Sequence, residues 1–174
     1  AQEFGHKVFY LIPETLSTNP NGPAGKIGDL KINKKKDPFF KISNIKSKQL
    51  SNFDYILMRK DPPVDNNYIY ITQILDSINQ KTSKVINPGF VLRNHNEKLI
   101  TLNFPKYIPA SLVSCSKDDI HKFRNIHKNI ILKPLNLMGG RSVYFLEEKD
   151  KNFNVIFEEI TNMGKNYILA QQYI

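Results

Sequence analysis

The chain has 174 residues, a mass of 20.1 kDa, 40% hydrophobic and 11% aromatic residues, and a formal net charge of +9. That length holds one domain or two small ones, and the apolar content suits a buried core and argues against disorder. The single cysteine, Cys115, excludes an intrachain disulfide framework and a cysteine-built zinc site, and no apolar run approaches the roughly 20 residues of a membrane span.

Residues 1–5 read as the tail of a helix closed by Gly5 in a left-handed cap. HKVFYLI (6–12) reads as a strand, and the Pro- and Gly-rich stretch 13–25 as a loop. Two weak strands near 27–32 and 39–42 suggest an edge hairpin. FDYILM (53–58) is a nearly continuous apolar run, the pattern of a strand covered on both faces, and Asp61-Pro62-Pro63 stops it. Tyr68, Ile71, Leu75 and Ile78 recur at helical spacing, which predicts a helix from Asn66 to Lys81. KVIN (84–87) is a short strand, followed by a helical piece through about Asn103. This order of strand, helix, strand, helix predicts an open, mostly parallel sheet with covering helices.

Beyond Pro109 the pattern changes to an α+β lobe. ASLVS (110–114) is a strand, and Ser116 with Asp119 forms an acidic capping box. The helix it starts should present Ile120, Phe123 and Ile126 or His127 on one side. NIILKPL (129–135) and RSVYFLEE (141–148) predict an antiparallel pair joined by the glycine-bearing NLMGG. A helix over 152–163 ends at Gly164, and NYILAQQYI is a final strand running to the last residue. The boundary between the lobes falls near 93–109. The chain opens at AQEFG without an initiator Met and stops in what reads as mid-strand, so it is expected to be a piece of something longer.

The positive charge is concentrated. Between Lys26 and Lys48 eight lysines face only Asp29 and Asp37, a local excess of +6. Arginine, whose planar fork suits guanine and phosphate, is scarce beside lysine throughout the chain. The stretch therefore reads as a solvated lysine-rich face, with a nucleic-acid or anion-binding module as the rival reading.

Lys133, in ILKPL, lies in an apolar strand and must turn its ammonium toward a partner. Met138-Gly139-Gly140 follows, and glycines let backbone N–H groups approach phosphate oxygens. The pair reads as a phosphate clamp, or else as a hairpin with Lys133 on its solvent side. No Walker loop, G-x-G-x-x-G, H-E-x-x-H or G-x-S-x-G is present, and His6, His95, His121 and His127 are dispersed. Lys98 follows Asn94-His95-Asn96-Glu97 at the start of a helical segment, where an anion is favoured unless Glu97 neutralises it. Arg59 and Asp61, in MRKDPP, sit at the C-terminal end of a predicted strand, the end at which α/β sheets bind ligands. Arg59 could hold a carboxylate there or form an ordinary strand-end ion pair.

Taken in order, FDYILMRKDPP, VINPGFVLRNHNEKL, IILKPLNLMGGRSV and ILAQQYI resemble the bacterial type of glutathione synthetase, an ATP-grasp ligase family. The resemblance covers essentially the whole chain and is weakest over 13–50. It implies a substrate domain at 1–93 and the first part of an ATP-grasp domain at 94–174. It also implies ligation of glycine to γ-glutamylcysteine through an acyl phosphate, with ATP as co-substrate and Mg²⁺ or Mn²⁺. By motif, Lys98 and Lys133 would contact the nucleotide phosphates and Met138, Gly139 and Gly140 would belong to the closing loop. Gln171, Gln172, Tyr173 and Ile174 would form the hinge whose backbone reads adenine, and Arg59 and Asp61 would lie near the peptide substrate. The family loop usually carries another glycine where this chain has Leu137 after Asn136. The family's metal ligands and later basic residues would lie beyond Ile174, and its first strand before Ala1, so the chain alone is expected to make no glutathione. The resemblance implies a cytoplasmic enzyme without nucleic-acid or membrane partners and leaves room for a homo-oligomer. Another ATP-grasp ligase with a different acceptor is the alternative within the class, and MRKDPP weighs against it.

Overall fold

The computed structural model describes residues 1–33, 37–79 and 81–174. Lys34, Lys35 and Lys36 of the basic stretch, and Gln80, lie outside the described residues. The chain divides into two compact units, one made of Ala1–Asp61 with Asn66–Arg93, the other of Pro62–Asp65 with Asn94–Ile174.

In the first unit a turn of 3₁₀ helix, Gln2–Phe4, ends at Gly5 with φ of 81°, the left-handed cap its sequence predicts. The unit is built mainly on strands β1 (Phe9–Leu11), β2 (Ser17–Asn19), β3 (Gly22–Ile32) and β4 (Phe40–Gln49), all paired antiparallel to β3. Two expectations change here. The stretch 13–25 is not all loop, because its turn residues are used at a tight hairpin turn between Asn19 and Gly22. There the N–H of Asn21 donates to Asn19 Oδ1 at 2.8 Å. The hairpin expected over 27–32 and 39–42 does form; what differs is that its strands are longer, with a register shift between Ile27 and Asp29, and that β3 pairs with β1 and β2 as well and so is not an edge strand.

Strands β5 (Tyr55–Leu57) and β6 (Lys84–Ile86) form the unit's one described parallel pair, joined through helix α1 (Asn66–Asp76). The open, mostly parallel sheet is therefore corrected: the fold is mixed α/β with mostly antiparallel sheets. The apolar run 53–58 is not covered on both faces either. Alternation points Ile56 at the core while Tyr55 and Leu57 stay 63% and 64% exposed. Helix α1 buries Tyr68, Thr72 and Leu75 and stops at Asp76, short of the expected Lys81, where Ser77 Oγ donates back to the Ile74 carbonyl at 2.7 Å. Helix α2 (Gly89–Asn94) packs tightly on α1: a Cβ at Gly89 would sit 2.3 Å from the Thr72 carbonyl. Arg93 ties the two helices together, 2.7 Å from Asp76 Oδ2 and 3.0 Å from Thr72 Oγ1. The expected helix through Asn103 breaks after Asn94 and resumes only as a 3₁₀ turn, Ile100–Asn103.

The second unit contains β7 (Ser111–Ser114), α3 (Lys117–His127), β8 (Ile130–Pro134), β9 (Tyr144–Leu146), α4 (Phe153–Thr161) and β10 (Ile168–Gln172). Its sheet runs β7–β10–β8–β9, antiparallel throughout, with the expected β8–β9 pair at one edge. Ile130 and Leu132 of β8 and Ile168 and Ala170 of β10 point to one face, where Ile120 of α3 and Phe153, Phe157 and Ile160 of α4 close the core. Ser116 caps α3 as predicted, its Oγ accepting the Asp119 N–H at 3.3 Å. The box is not reciprocal, because Ser114 Oγ donates to Asp119 Oδ2 and accepts the Ser116 N–H. On α3, Ile126 is 72% exposed rather than inward, and Arg124 takes the buried position four residues after Ile120. Its guanidinium lies 5.0 Å from the Phe153 ring and donates to the carbonyls of Glu147, Glu148 and Asp150. The final strand stops at Gln172 rather than at the last residue.

Candidate functional site

Alternation along β8 sends Ile130, Leu132 and Pro134 into the core and leaves Ile131 and Lys133 on the opposite face. On that face Lys133 Nζ donates to Gln171 Oε1 at 2.8 Å, and Gln171 Nε2 donates to Ser111 Oγ at 3.1 Å. The serine hydroxyl donates to the Pro109 carbonyl at 2.8 Å, so three strands are joined by one polar chain. Among the described residues no carboxylate lies within 4.0 Å of the Lys133 ammonium. A half-buried cation whose partner among the described residues is a neutral amide oxygen is suited to receive an anion. On the same face, opposite Ile131, Phe145 packs edge-on against Tyr173, with ring centroids 4.9 Å apart and both rings about half exposed. One sheet face thus carries a cation and flat apolar surface suited to a heterocycle.

Lys98 does not begin a helix. It lies in a turn ahead of the 3₁₀ segment, and the N–H groups of Lys98 and Leu99 both donate to Asn96 Oδ1, at 2.9 and 3.2 Å. These amides are therefore taken, and the expected helix-terminus attraction for an anion is absent at this turn. The side chain is engaged as well: Lys98 Nζ donates to Glu97 Oε1 at 3.0 Å and to the Leu137 carbonyl at 2.7 Å, which leaves one N–H of the ammonium for an anion. Its side chain is 15% exposed and that of Glu97 69%, so the neighbouring carboxylate faces water and screens only part of the ammonium.

Lys98 engages the β8–β9 connection through the Leu137 carbonyl, whereas Lys133, on the strand that enters the connection, engages Gln171 of β10, so the two ammonium groups share no partner. Met138 is 48% exposed, and Gly139 and Gly140 have φ of 68° and 73°. A Cβ on either glycine would meet nothing within 4 Å, so the left-handed backbone, not crowding, calls for glycine there. On the α4 side of the connection, a hollow of about 210 Å³ is lined by residues including Asn136, Ser142, Tyr144, Glu159 and Asn166. There Tyr144 donates to Glu159 Oε1 at 3.1 Å, which, with burial second, holds its phenol above the usual range.

Gln171 and Gln172, expected to form a hinge, are the last two residues of β10, and Tyr173 and Ile174 follow it. The Gln172 N–H is donated to the Ala110 carbonyl at 2.8 Å and that of Tyr173 to Asn129 at 3.0 Å, while Ile174 is 89% exposed. Arg59 and Asp61 are exposed in the first unit, just past β5, and neither forms an ion pair among the described residues. No group of three or more His, Cys, Asp or Glu side chains is placed to hold a metal among the described residues. Sequence reasoning missed Asn96 and Ser111. The Asn two residues ahead of Lys98 carried an Asx-turn signal; Ser111 carried none.

Residues 1–93 match the family described as prokaryotic glutathione synthetase, N-terminal domain, and residues 97–174 match prokaryotic glutathione synthetase, ATP-grasp domain. The chain belongs to the prokaryotic glutathione synthetase family. The family's curated members include the glutathione synthetases of Buchnera aphidicola and Vibrio parahaemolyticus. Each is 38% identical over 100% of this chain, which covers 54% and 55% of their respective lengths. The Wigglesworthia glossinidia synthetase is 47% identical over 72% of this chain and 39% of its own. The chain thus spans about half the length of the synthetases it matches end to end. Among solved structures, a RimK-domain ATP-grasp protein from Sphaerobacter thermophilus shares the fold with a TM-score of 0.55 at 18% identity, over 93% of this chain and 52% of that one. The D-cycloserine synthetase DcsG aligns with a TM-score of 0.54 at 12% identity, over 73% of this chain and 46% of its own. No helix among the described residues is long and apolar enough to cross a membrane.

Proposed function

We propose that this chain serves an ATP-dependent ligase that joins glycine to γ-glutamylcysteine, with residues 1–93 acting as substrate domain and 94–174 as the first part of the ATP-grasp domain. The observation that carries the reading is the Lys133 ammonium. It lies on the face of β8 away from the core, bonded to the neutral Gln171 amide and with no carboxylate within 4.0 Å among the described residues, on the strand leading into Gly139-Gly140. The family membership supports the choice of substrates.

In this reading the dipeptide's carboxylate oxygen bonds to the γ-phosphorus of ATP as the bond to ADP breaks. The glycine amine then attacks the acyl carbon, inorganic phosphate departs and the amine loses a proton. Lys98 and Lys133 neutralise charge on the phosphates, and Met138–Gly140 closes over them and excludes water. Adenine lies at the β10 exit. With the N–H groups of Gln172 and Tyr173 already donated, its edge is read through other backbone groups of Gln171–Ile174. Arg59 and Asp61 attend the peptide substrate. Mg²⁺ or Mn²⁺, when bound, supplies further neutralisation of the transferring group. The reaction takes place in a reducing cytoplasm, which keeps the substrate's thiol free.

Expressed from the full reading frame that carries it, the protein is expected to release ADP only when γ-glutamylcysteine and glycine are both present. Lys133→Ala is expected to raise the ATP KM or lower kcat at least tenfold, about 1.4 kcal/mol. ADP release indifferent to either substrate discards the ligase reading, and another amine acceptor points to the sister ligases. Unchanged kinetics in the variant return Lys133 to a structural role.

A further inference from the structure

Three consecutive carbonyls at the exit of β8 are each held by a donor from elsewhere in the second unit. Leu135 accepts from Asn96 Nδ2 at 2.8 Å, Asn136 from the Val64 N–H at 3.1 Å and Leu137 from Lys98 Nζ at 2.7 Å. The restraint then ends. Met138 is exposed, Gly139, Gly140 and Ser142 all have positive φ, and the next recorded tie, Arg141 N–H to the Met138 carbonyl, is long at 3.4 Å. Regular pairing resumes at Tyr144, opposite Leu132.

The Asn96 side chain holds the backbone on both sides of this junction. Its Oδ1 accepts the N–H groups of Lys98 and Leu99, which fixes the turn from which the Lys98 side chain springs. Its Nδ2 fixes the strand end whose carbonyl that lysine engages two residues later. We infer that Asn96 is a positioning residue for triphosphate binding: it sets where the phosphate loop begins to move and holds the backbone of Lys98 still while the ammonium exchanges the Leu137 carbonyl for a phosphate oxygen. The inference rests on the proposed phosphate role of Lys98 and Met138–Gly140.

The physical gain is preorganisation. A lysine on an unfixed turn must be ordered when the triphosphate arrives, and ordering one long side chain and its turn weakens binding. With the turn fixed beforehand, only the ammonium's partner changes. Because the restraint acts on the groups that meet the phosphates and not on the β10 exit, its loss should weaken ATP far more than AMP.

The test uses the full-length product of the gene that carries this chain, with Mg·ATP and AMP as the titrated probes and amide hydrogen exchange as a second readout. Asn96→Ala is expected to raise exchange at Lys98 and Leu99 at least tenfold. It should also weaken ATP at least fivefold while AMP stays within twofold. Asn96→Asp keeps the acceptor for the two turn amides, so it should keep their protection; it guards against a misfolded alanine variant. Unchanged exchange in Asn96→Ala, or equal losses for ATP and AMP, overturns the positioning role. If the unsubstituted protein binds neither nucleotide, the ligase reading fails and the role falls with it. The exchange data would then still report whether Asn96 holds the turn, so the two failures are distinguishable.

Discussion

The two units bury their apolar residues differently. In the second, Ile120, Ile130, Leu132, Leu146, Ile168 and Ala170 all reach 0% exposure, because two helices close over one face of a four-stranded sheet. In the first, the best-buried apolar residue, Leu50, retains 2%, and the parallel pair leaves Tyr55, Leu57 and Ile86 in the open. A sealed face makes every methylene count, whereas an open strand face contributes little to its own unit. The lesson is that the unit bearing the candidate phosphate residues is also the one with the dry core, so the strand that carries Lys133 has rigid backing.

The sharpest way to break this contrast is a pair of truncations. Leu132→Ala should destabilise the second unit by about 3 kcal/mol, and Leu57→Ala the first by less than about 1 kcal/mol, read as urea midpoints. Similar shifts for both would remove the distinction. A pair of arginines sharpens it next. Arg124→Met strands three carbonyls around a residue 5% exposed and should cost about 2 kcal/mol. Arg93→Met breaks a bridge to Asp76 whose side chains are 25% and 28% exposed and should cost about 1 kcal/mol. The smallest effect concerns Glu148, whose carboxyl is held below its usual range mainly by its hydrogen bond to Lys128, with the charges of Lys128, Lys149 and Arg124 adding to it. A depressed carboxyl stabilises the fold above its ordinary pKa, and that contribution disappears as pH falls through the lowered one. Thermal midpoints of Glu148→Gln should therefore trail the parent at neutral pH and converge with it in acid. A gap that persists in acid would assign the loss to something other than this charge.

Much of the second unit was legible because its signals are local. Ser116 precedes its helix, Gly139 and Gly140 mark the connection, and the alternation in IILKP assigns Lys133 to the face away from the core. What escaped depends on partners distant in sequence. Gln171 lies 38 residues from Lys133 and Asn96 lies 39 from Leu135, and no spacing rule relates such pairs. In the first unit the errors came from reading composition as geometry. An apolar FDYILM reads the same whether a strand is covered once or twice, and Pro and Gly mark a tight hairpin turn as readily as a loop. Arg59 and Asp61 fall where a strand-end argument puts them, but it cannot supply their companions.

Strand β10 lies in the middle of its sheet, hydrogen-bonded to β7 on one side and β8 on the other, yet it is the last of the four to leave the ribosome. Until it emerges, β7 and the β8–β9 pair have no common neighbour, and the helices have no continuous sheet to seal. Nascent chains from which β10 has not yet emerged should therefore be a favoured substrate for chaperones, and its emergence should let β7 and the β8–β9 pair join.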